Sequence, residues 1–352
     1  MRTIRVSSIL LFAFGVALQP VIAKAQPTFQ PPNTLSAENA SSEGQEDTVA
    51  ARQLKATVAD LLLHDKYDEI DRLADKIRRD KTRLIGGGWM LPHLYLGLEF
   101  SNGVTPEEHI AKLKAWVAAR PQSITARVAL ARAYISYAWL ARGSGYANTV
   151  TEERWQRFKE RIAEAQHVLD DSANMSPMCP EWFLEMQKVA LAQGWDASRT
   201  ATLFDQARRF EPDYIYFYKS YANYLLPKWD GKPGDAAAFA KESADAVGGP
   251  KGDYLYFHIG MVSNGQTGFS QLDWVRLQSG YQAQIGLYGV TNFDTNQLAL
   301  FAWRFQDRTV AKQVFDQIGD KWSKEVWRTR ASFEKARVWA EGSTDSTTAA
   351  LH

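Results

Sequence analysis

Apolar residues recur at intervals of three and four along most of this 352-residue chain, while the strict alternation of a half-buried strand is scarce. That period belongs to amphipathic helices, so the pattern predicts helix nearly throughout residues 48–341. Val49 to Leu63 and Tyr67 to Arg79 read as a first helix pair, broken near His64 and Asp65. The run GGGW, Gly86 to Trp89, separates this pair from a helix of about Met90 to Phe100. Thr105-Pro-Glu-Glu108 has the form of a capping box with proline in the first turn; it opens a helix that ends near Ala119 and Arg120. Ser123 to Arg142 is the next helix. Thr149-Val-Thr-Glu152 reads as a second capping box, opening a helix to about Asp171.

The second half repeats itself. Pro180-Glu-Trp-Phe aligns with Pro212-Asp-Tyr-Ile at an offset of 32, and Asp213-Tyr-Ile-Tyr-Phe217 with Asp253-Tyr-Leu-Tyr-Phe257 at an offset of 40. Each is expected to open a helix, with a partner following: Ser198 to Phe210, Asp235 to Val247, and Gln271 to Ile285. A last set runs Asn296 to Phe305, Thr309 to Ile318 and Lys324 to Ala340. Helix pairs at periods of roughly 32–40 residues predict an all-α, right-handed solenoid of antiparallel helix pairs, in one continuous domain over 48–341. The competing architecture is an α/α toroid. The two separate on whether Lys324 to Ala340 packs on Val49 to Leu63.

The ends read differently. Arg2 and Arg5 precede the apolar run Ile9 to Leu18, and Ala23-Lys24-Ala25 fits the small-x-small rule. Residues 1–25 are therefore expected to be a signal peptide cleaved after Ala25, which predicts a periplasmic or secreted protein. The apolar run is too short for a membrane span of about 20 residues, so no membrane anchor is expected after cleavage. Residues 26–47 and 342–352, polar and poor in aromatics, read as a disordered leader and tail. Cleavage would remove Arg2, Arg5 and Lys24 and no acid, taking the formal charge from +1 to −2. A near-neutral chain without a basic run argues against nucleic acid as a partner. Cys179 is the only cysteine, which excludes an intrachain disulfide; it reads as a small buried residue.

Chemistry enters through the helix Ser123 to Arg142, which is apolar from Val128 to Ala141 except for Arg132 and Ser136. A helix apolar on nearly all sides is buried on nearly all sides. Arg132, Ser136 and Trp139 stand at i, i+4 and i+7 on one face, continued by Arg142, with Tyr146 beyond the Gly143-Ser-Gly145 turn. A cation beside a tryptophan makes a pocket wall for a carboxylate or a peptide terminus. The opposing reading pairs Arg132 with an acid on a neighbouring helix. Gly143-Ser-Gly145 is no phosphate loop: position 148 is Asn and a helix precedes the glycines, so Gly143 is expected to end that helix. Tyr214, Tyr218, Tyr221 and Leu225 form a helical stripe, with Trp195 and Trp229 beside glycine, aspartate and proline in loops. Exposed rings of this kind bind extended peptides or sugars, and buried ones are core. The six histidines are scattered, no metal-ligand spacing and no nucleophile elbow occurs, and neither a metal nor another cofactor is expected. Asp170, Asp171, Glu181, Asp196 and Asp230 are the loop-side carboxylates that a glycosidase would draw on.

Two resemblances follow from these residues. Phe204, Ala207 and Pro212 stand at the F-x2-A-x4-P spacing of the second helix of a tetratricopeptide repeat, with Ala201 one position off and the front half of that motif absent. The solenoid is thus similar to a TPR array. The combination GGGWMLPHLY, ARPQSITARVALARAYISYAWLARGSGYA and LLPKWDG resembles an uncharacterised family of exported bacterial helical-repeat proteins, over roughly residues 50–245. That resemblance implies the fold and brings no activity. The expected function is a non-catalytic, protein-binding adaptor in the bacterial envelope that holds a protein or peptide segment. The alternative is a cell-wall glycan-binding or glycan-cleaving toroid.

Overall fold

The computed structural model describes residues 49–100, 103–143, 149–263 and 268–342. The expected signal peptide, the leader, residues 343–352 and Tyr146 lie outside the described residues. Within them the chain is all-α: sixteen α-helices, no β-strand, and one isolated bridge between Arg83 and Trp89. The first half contains α1 (Val49–Leu63), α2 (Tyr67–Asp80), α3 (Leu91–Gly97), α4 (Pro106–Ala119), α5 (Ile124–Arg142) and α6 (Glu152–Asp170). The second half contains α7 (Pro180–Gln193), α8 (Ala197–Phe210), α9 (Ile215–Tyr224), α10 (Asp235–Val247), α11 (Gly249–Val262) and α12 (Trp274–Tyr288). It closes with α13 (Asn292–Arg304), α14 (Arg308–Ile318), α15 (Lys324–Trp327) and α16 (Arg330–Glu341).

Among the boundaries that differ from expectation, four have a clear local reason. The cap of α6 is Thr151 and not Thr149: the Thr151 hydroxyl accepts from the Arg154 amide, and an arginine there cannot complete a box. Asp253 to Phe257 does not open a helix, because Gly248, at φ +71°, ends α10 and α11 restarts at once with Pro250 in its first turn. Helix α13 begins four residues early at Asn292, since Thr291 and Asp294 form a capping box that its interior disguises. Lys324 to Ala340 is broken in two at Arg328, which adopts φ +65°. The Thr105–Glu108 box stands as expected.

Consecutive helices pack in pairs, α5 on α6, α7 on α8, α10 on α11, α13 on α14. A second set of packings joins alternate helices, α5 on α7, α7 on α9 and α9 on α11. This two-row arrangement is a solenoid. Its terminal helices pack on their neighbours, α1 on α2 and α3, α16 on α13, α14 and α15. The α16-on-α1 packing that a toroid requires is not among the principal helix contacts.

Several contacts break the nearest-neighbour rule, among them Lys81 with Glu211 at 2.7 Å and one whole connection. The segment from Arg83 to Trp89 leaves α2 and crosses to the second half. The indole of Trp89 donates to the Asp213 carbonyl at 3.1 Å and packs edge-on against Tyr214. The Gly86 amide donates to the Tyr288 carbonyl at 3.1 Å, and the Tyr254 hydroxyl donates to the Gly86 carbonyl at 3.3 Å. The Arg83 guanidinium lies between the Trp89 and Tyr288 rings, at 4.8 and 5.1 Å from their centroids. The strap thus spans the starts of α9 and α11 and the end of α12. Trp89 is 1% exposed. Removing an indole of about 200 Å² from water contributes at most about 5 kcal/mol at ~25 cal/mol per Å².

Candidate functional site

The sequence singles out α5, and the fold explains why. Ser123 caps its start, accepting from the Ala126 amide. Alanines 126, 129, 131, 133 and 138 are buried, which lets α4, α6 and α7 approach closely. At its end Gly143 takes φ +74° and its amide donates to the Trp139 carbonyl at 2.9 Å. The Arg154 Nε of α6 donates to the Ala141 carbonyl at 2.8 Å, placing a cation at the negative end of the helix dipole.

Arg132 does not line an open groove. It donates to Glu99 at 2.7 Å, to Glu185 at 3.1 Å and to Glu181 at 3.4 Å. Both α7 carboxylates are 0% exposed. Glu185 also receives Lys188 at 2.7 Å, and Glu181 accepts the Tyr214 hydroxyl. Burial pushes the Glu181 carboxyl above its usual value of 4.5, against the opposing pull of Arg132. Glu181, read as a loop-side carboxylate, is therefore core, and no substrate reaches the pair. Ser136 stands half-buried one turn along. Cys179, just before α7, is fully buried; its sulfur meets the Tyr95 hydroxyl at 3.3 Å, and burial raises its thiol pKa.

Further along the same face the chemistry reaches the surface. Arg142 lies 5.5 Å from the Trp139 ring centroid and 5.3 Å from that of Trp155, on α6. Trp139 packs edge-on against Phe158 at 4.9 Å and against Trp229 at 6.3 Å. Trp229 is 41% exposed, and Lys228 lies 5.8 Å from its ring centroid. Three tryptophans and two cations from three parts of the chain thus form one surface cluster.

The turn carrying Trp229 is held rigidly. The Trp229 amide donates to the Leu226 carbonyl at 2.9 Å, and the Tyr224 hydroxyl donates to Asp230 at 2.6 Å. A β-carbon on Gly231 would lie 1.8 Å from the Leu225 carbonyl oxygen, so only glycine lets the chain pass there. LLPKWDG is the sequence of a preorganised turn.

The other aromatic candidates sit elsewhere. Tyr218 is buried and Tyr221 stacks on Phe204 at 4.6 Å; with Phe239 they form the joint of α8, α9 and α10, so the stripe is core. Trp195 is half-buried at the α7–α8 turn, with the Arg199 guanidinium 3.2 Å from its ring centroid and its indole bonded to Gln193. Sequence reasoning missed Trp155 and Lys228. The available signal was that Arg142 and Trp155 flank one turn. Among the described residues, no group of three or more His, Cys, Asp or Glu side chains could hold a metal ion, and no helix is long and apolar enough to cross a membrane.

Residues 54–169 match the family model of a domain of unknown function, DUF4034. The match runs from α1 through α6, less far than the resemblance over residues 50–245 implied. It includes Arg132, Trp139, Arg142 and Trp155 and stops short of Trp229. No curated protein and no solved structure matches the chain.

Proposed function

We propose that this is a non-catalytic helical-repeat protein that holds a segment of a partner protein where the end of α5, the start of α6 and the Trp229 turn meet. The observation that carries this reading is the exposed Trp229 ring, fixed by a turn that cannot relax and backed by Trp139. Tryptophan and arginine dominate binding hot spots, and a preorganised ring loses little entropy on docking. Arg142, between two indoles, suits a partner carboxylate beside an aromatic or aliphatic residue. The signal-like start of the chain favours a partner in the bacterial envelope.

The test is affinity recovery from envelope extracts with the full chain. A specific partner should be recovered with the wild type and reduced at least about tenfold by Trp229→Ala with Arg142→Ala, in line with hot-spot losses of ≥2 kcal/mol. Gly231→Ala should act in the same direction by displacing the turn. Unchanged recovery, with the helical circular dichroism intact, would reject the site. The same exposed ring could stack on a sugar. Retention on peptidoglycan fragments, lost with Trp229→Ala, would favour that second reading.

A further inference from the structure

The tryptophan cluster offers relief as well as exposure. Trp139 and Trp155 both meet Phe158 edge-on, at interplanar angles of 71° and 87°, and Trp229 crosses Trp139 at 72°. Steeply crossed rings leave slots between ridges, a surface suited to extended, proline-rich segments. The surface is also cationic. Arg142 lies against two of the indoles, and Lys228 stands exposed beside the third with no acid paired to it among the described residues. Of the acids next to them in sequence, Asp230 accepts the Tyr224 hydroxyl at 2.6 Å and Glu153 pairs with Arg157.

One segment of this chain has the matching chemistry. Residues 26–47, outside the described residues, carry Pro27-Thr-Phe-Gln-Pro-Pro32 and then Glu38, Glu43, Glu46 and Asp47, with no basic residue. Proline favours the polyproline conformation, in which Phe29 and Pro32, three positions apart, fall on one edge about 9 Å from each other. Residues 343–352 hold no proline, phenylalanine, tyrosine or tryptophan and offer the slots nothing. Reach is ample. The segment enters α1 at Val49, and the 20 residues from Phe29 to there span up to about 66 Å when extended. Lys55 of α1 lies against Gly97, Glu99 just beyond bonds Arg132, and Arg142 is ten residues, about 15 Å, further along α5. We propose that residues 26–47 dock on the tryptophan cluster of their own chain and cover it until a partner displaces them. Phe29 and the prolines then lie against Trp139 and Trp229, and the acids face Arg142 and Lys228. This inference rests on the reading of the cluster as a docking site. Tethering lets a weak contact hold, because a short linker gives an effective concentration in the millimolar range.

Photo-cross-linking of the full chain, with benzoylphenylalanine in place of Phe29, tests this. Peptide mass spectrometry should find links to the end of α5, the start of α6 and the Trp229 turn, within single molecules and independent of protein concentration. Trp229→Ala should lower their yield at least about tenfold, the loss of one hot-spot ring. Lys228→Glu should lower it too, by facing the acids with a like charge, and serves if Trp229→Ala disturbs the turn. Lys312→Met, on the distant α14, should leave it unchanged. The proposal is overturned if the links fall outside the cluster, if they join two copies of the chain, or if they survive in both cluster variants. The measurement needs no partner, so links at the cluster support this inference even where envelope extracts yield none. Recovery of a partner without such links would remove this inference and leave the docking site standing.

Discussion

Glu181 is fully enclosed, and its titration is a stability term for the whole fold. Its carboxyl is raised above 4.5 by burial, so the folded protein holds that proton more tightly than the unfolded chain does. The contribution is complete below 4.5 and is lost as pH rises through the folded value. Urea midpoints of Glu181→Gln and the wild type should therefore diverge in slope: the wild type loses more stability between pH 4.5 and neutrality than the variant. Equal slopes would place the proton elsewhere. His109 works in the other sense. Desolvation lowers it from 6.5, so its contribution is present above that value and fades on acidification, in both proteins alike. Its neighbour Leu98 accepts from the ring at 2.9 Å.

At the scale of the element, α5 shows what a sequence carries and what it withholds. Its alanines, its start near Ser123 and its stop at Gly143 were legible, because each has a local signature. The alternatives for Arg132, solvent or a neighbouring acid, were also legible; the choice of Glu99, Glu181 and Glu185 was not, since those acids lie 33 to 53 residues away and meet it only through packing. Tyr218 and Tyr221 were ambiguous for the same reason: a stripe states that rings share a face, and Phe204 and Phe239 decide that the face is core. The place of Trp229 in a turn was legible because glycine, aspartate and proline surround it; its exposure was not, and only the fold leaves the ring 41% exposed. Removing Arg132 would leave two carboxylates buried without their common cation. Arg132→Met is expected to destabilise the fold by about 3–5 kcal/mol, read as a fall in the urea midpoint. Lys312→Met, which removes the exposed pair with Asp316, should leave that midpoint almost unchanged. A similar response from both would mean that the α5–α7 network is not the buried ion cluster described.

At the scale of the molecule, the Arg83–Trp89 strap sets this array apart from one stabilised only by adjacent repeats. Gly87 is its tightest point: φ is +87°, and a β-carbon would lie 2.5 Å from the Tyr254 hydroxyl and 2.6 Å from the Tyr288 ring. Gly87→Ala should cost about 1–3 kcal/mol from backbone strain alone. Amide exchange should then quicken in α11 and α12, more than 150 residues away in sequence. Exchange confined to α2 and α3 would show that the strap does not couple the halves.

The strap also has a mechanical consequence. A solenoid whose turns touch only their neighbours extends under load as a soft spring, each joint yielding a little. Here a pull applied between α2 and α12 is borne first by the Gly86–Tyr288 and Tyr254–Gly86 hydrogen bonds and by Arg83 clasped between two rings. The array is therefore expected to resist stretching until that clasp parts and to become compliant only then.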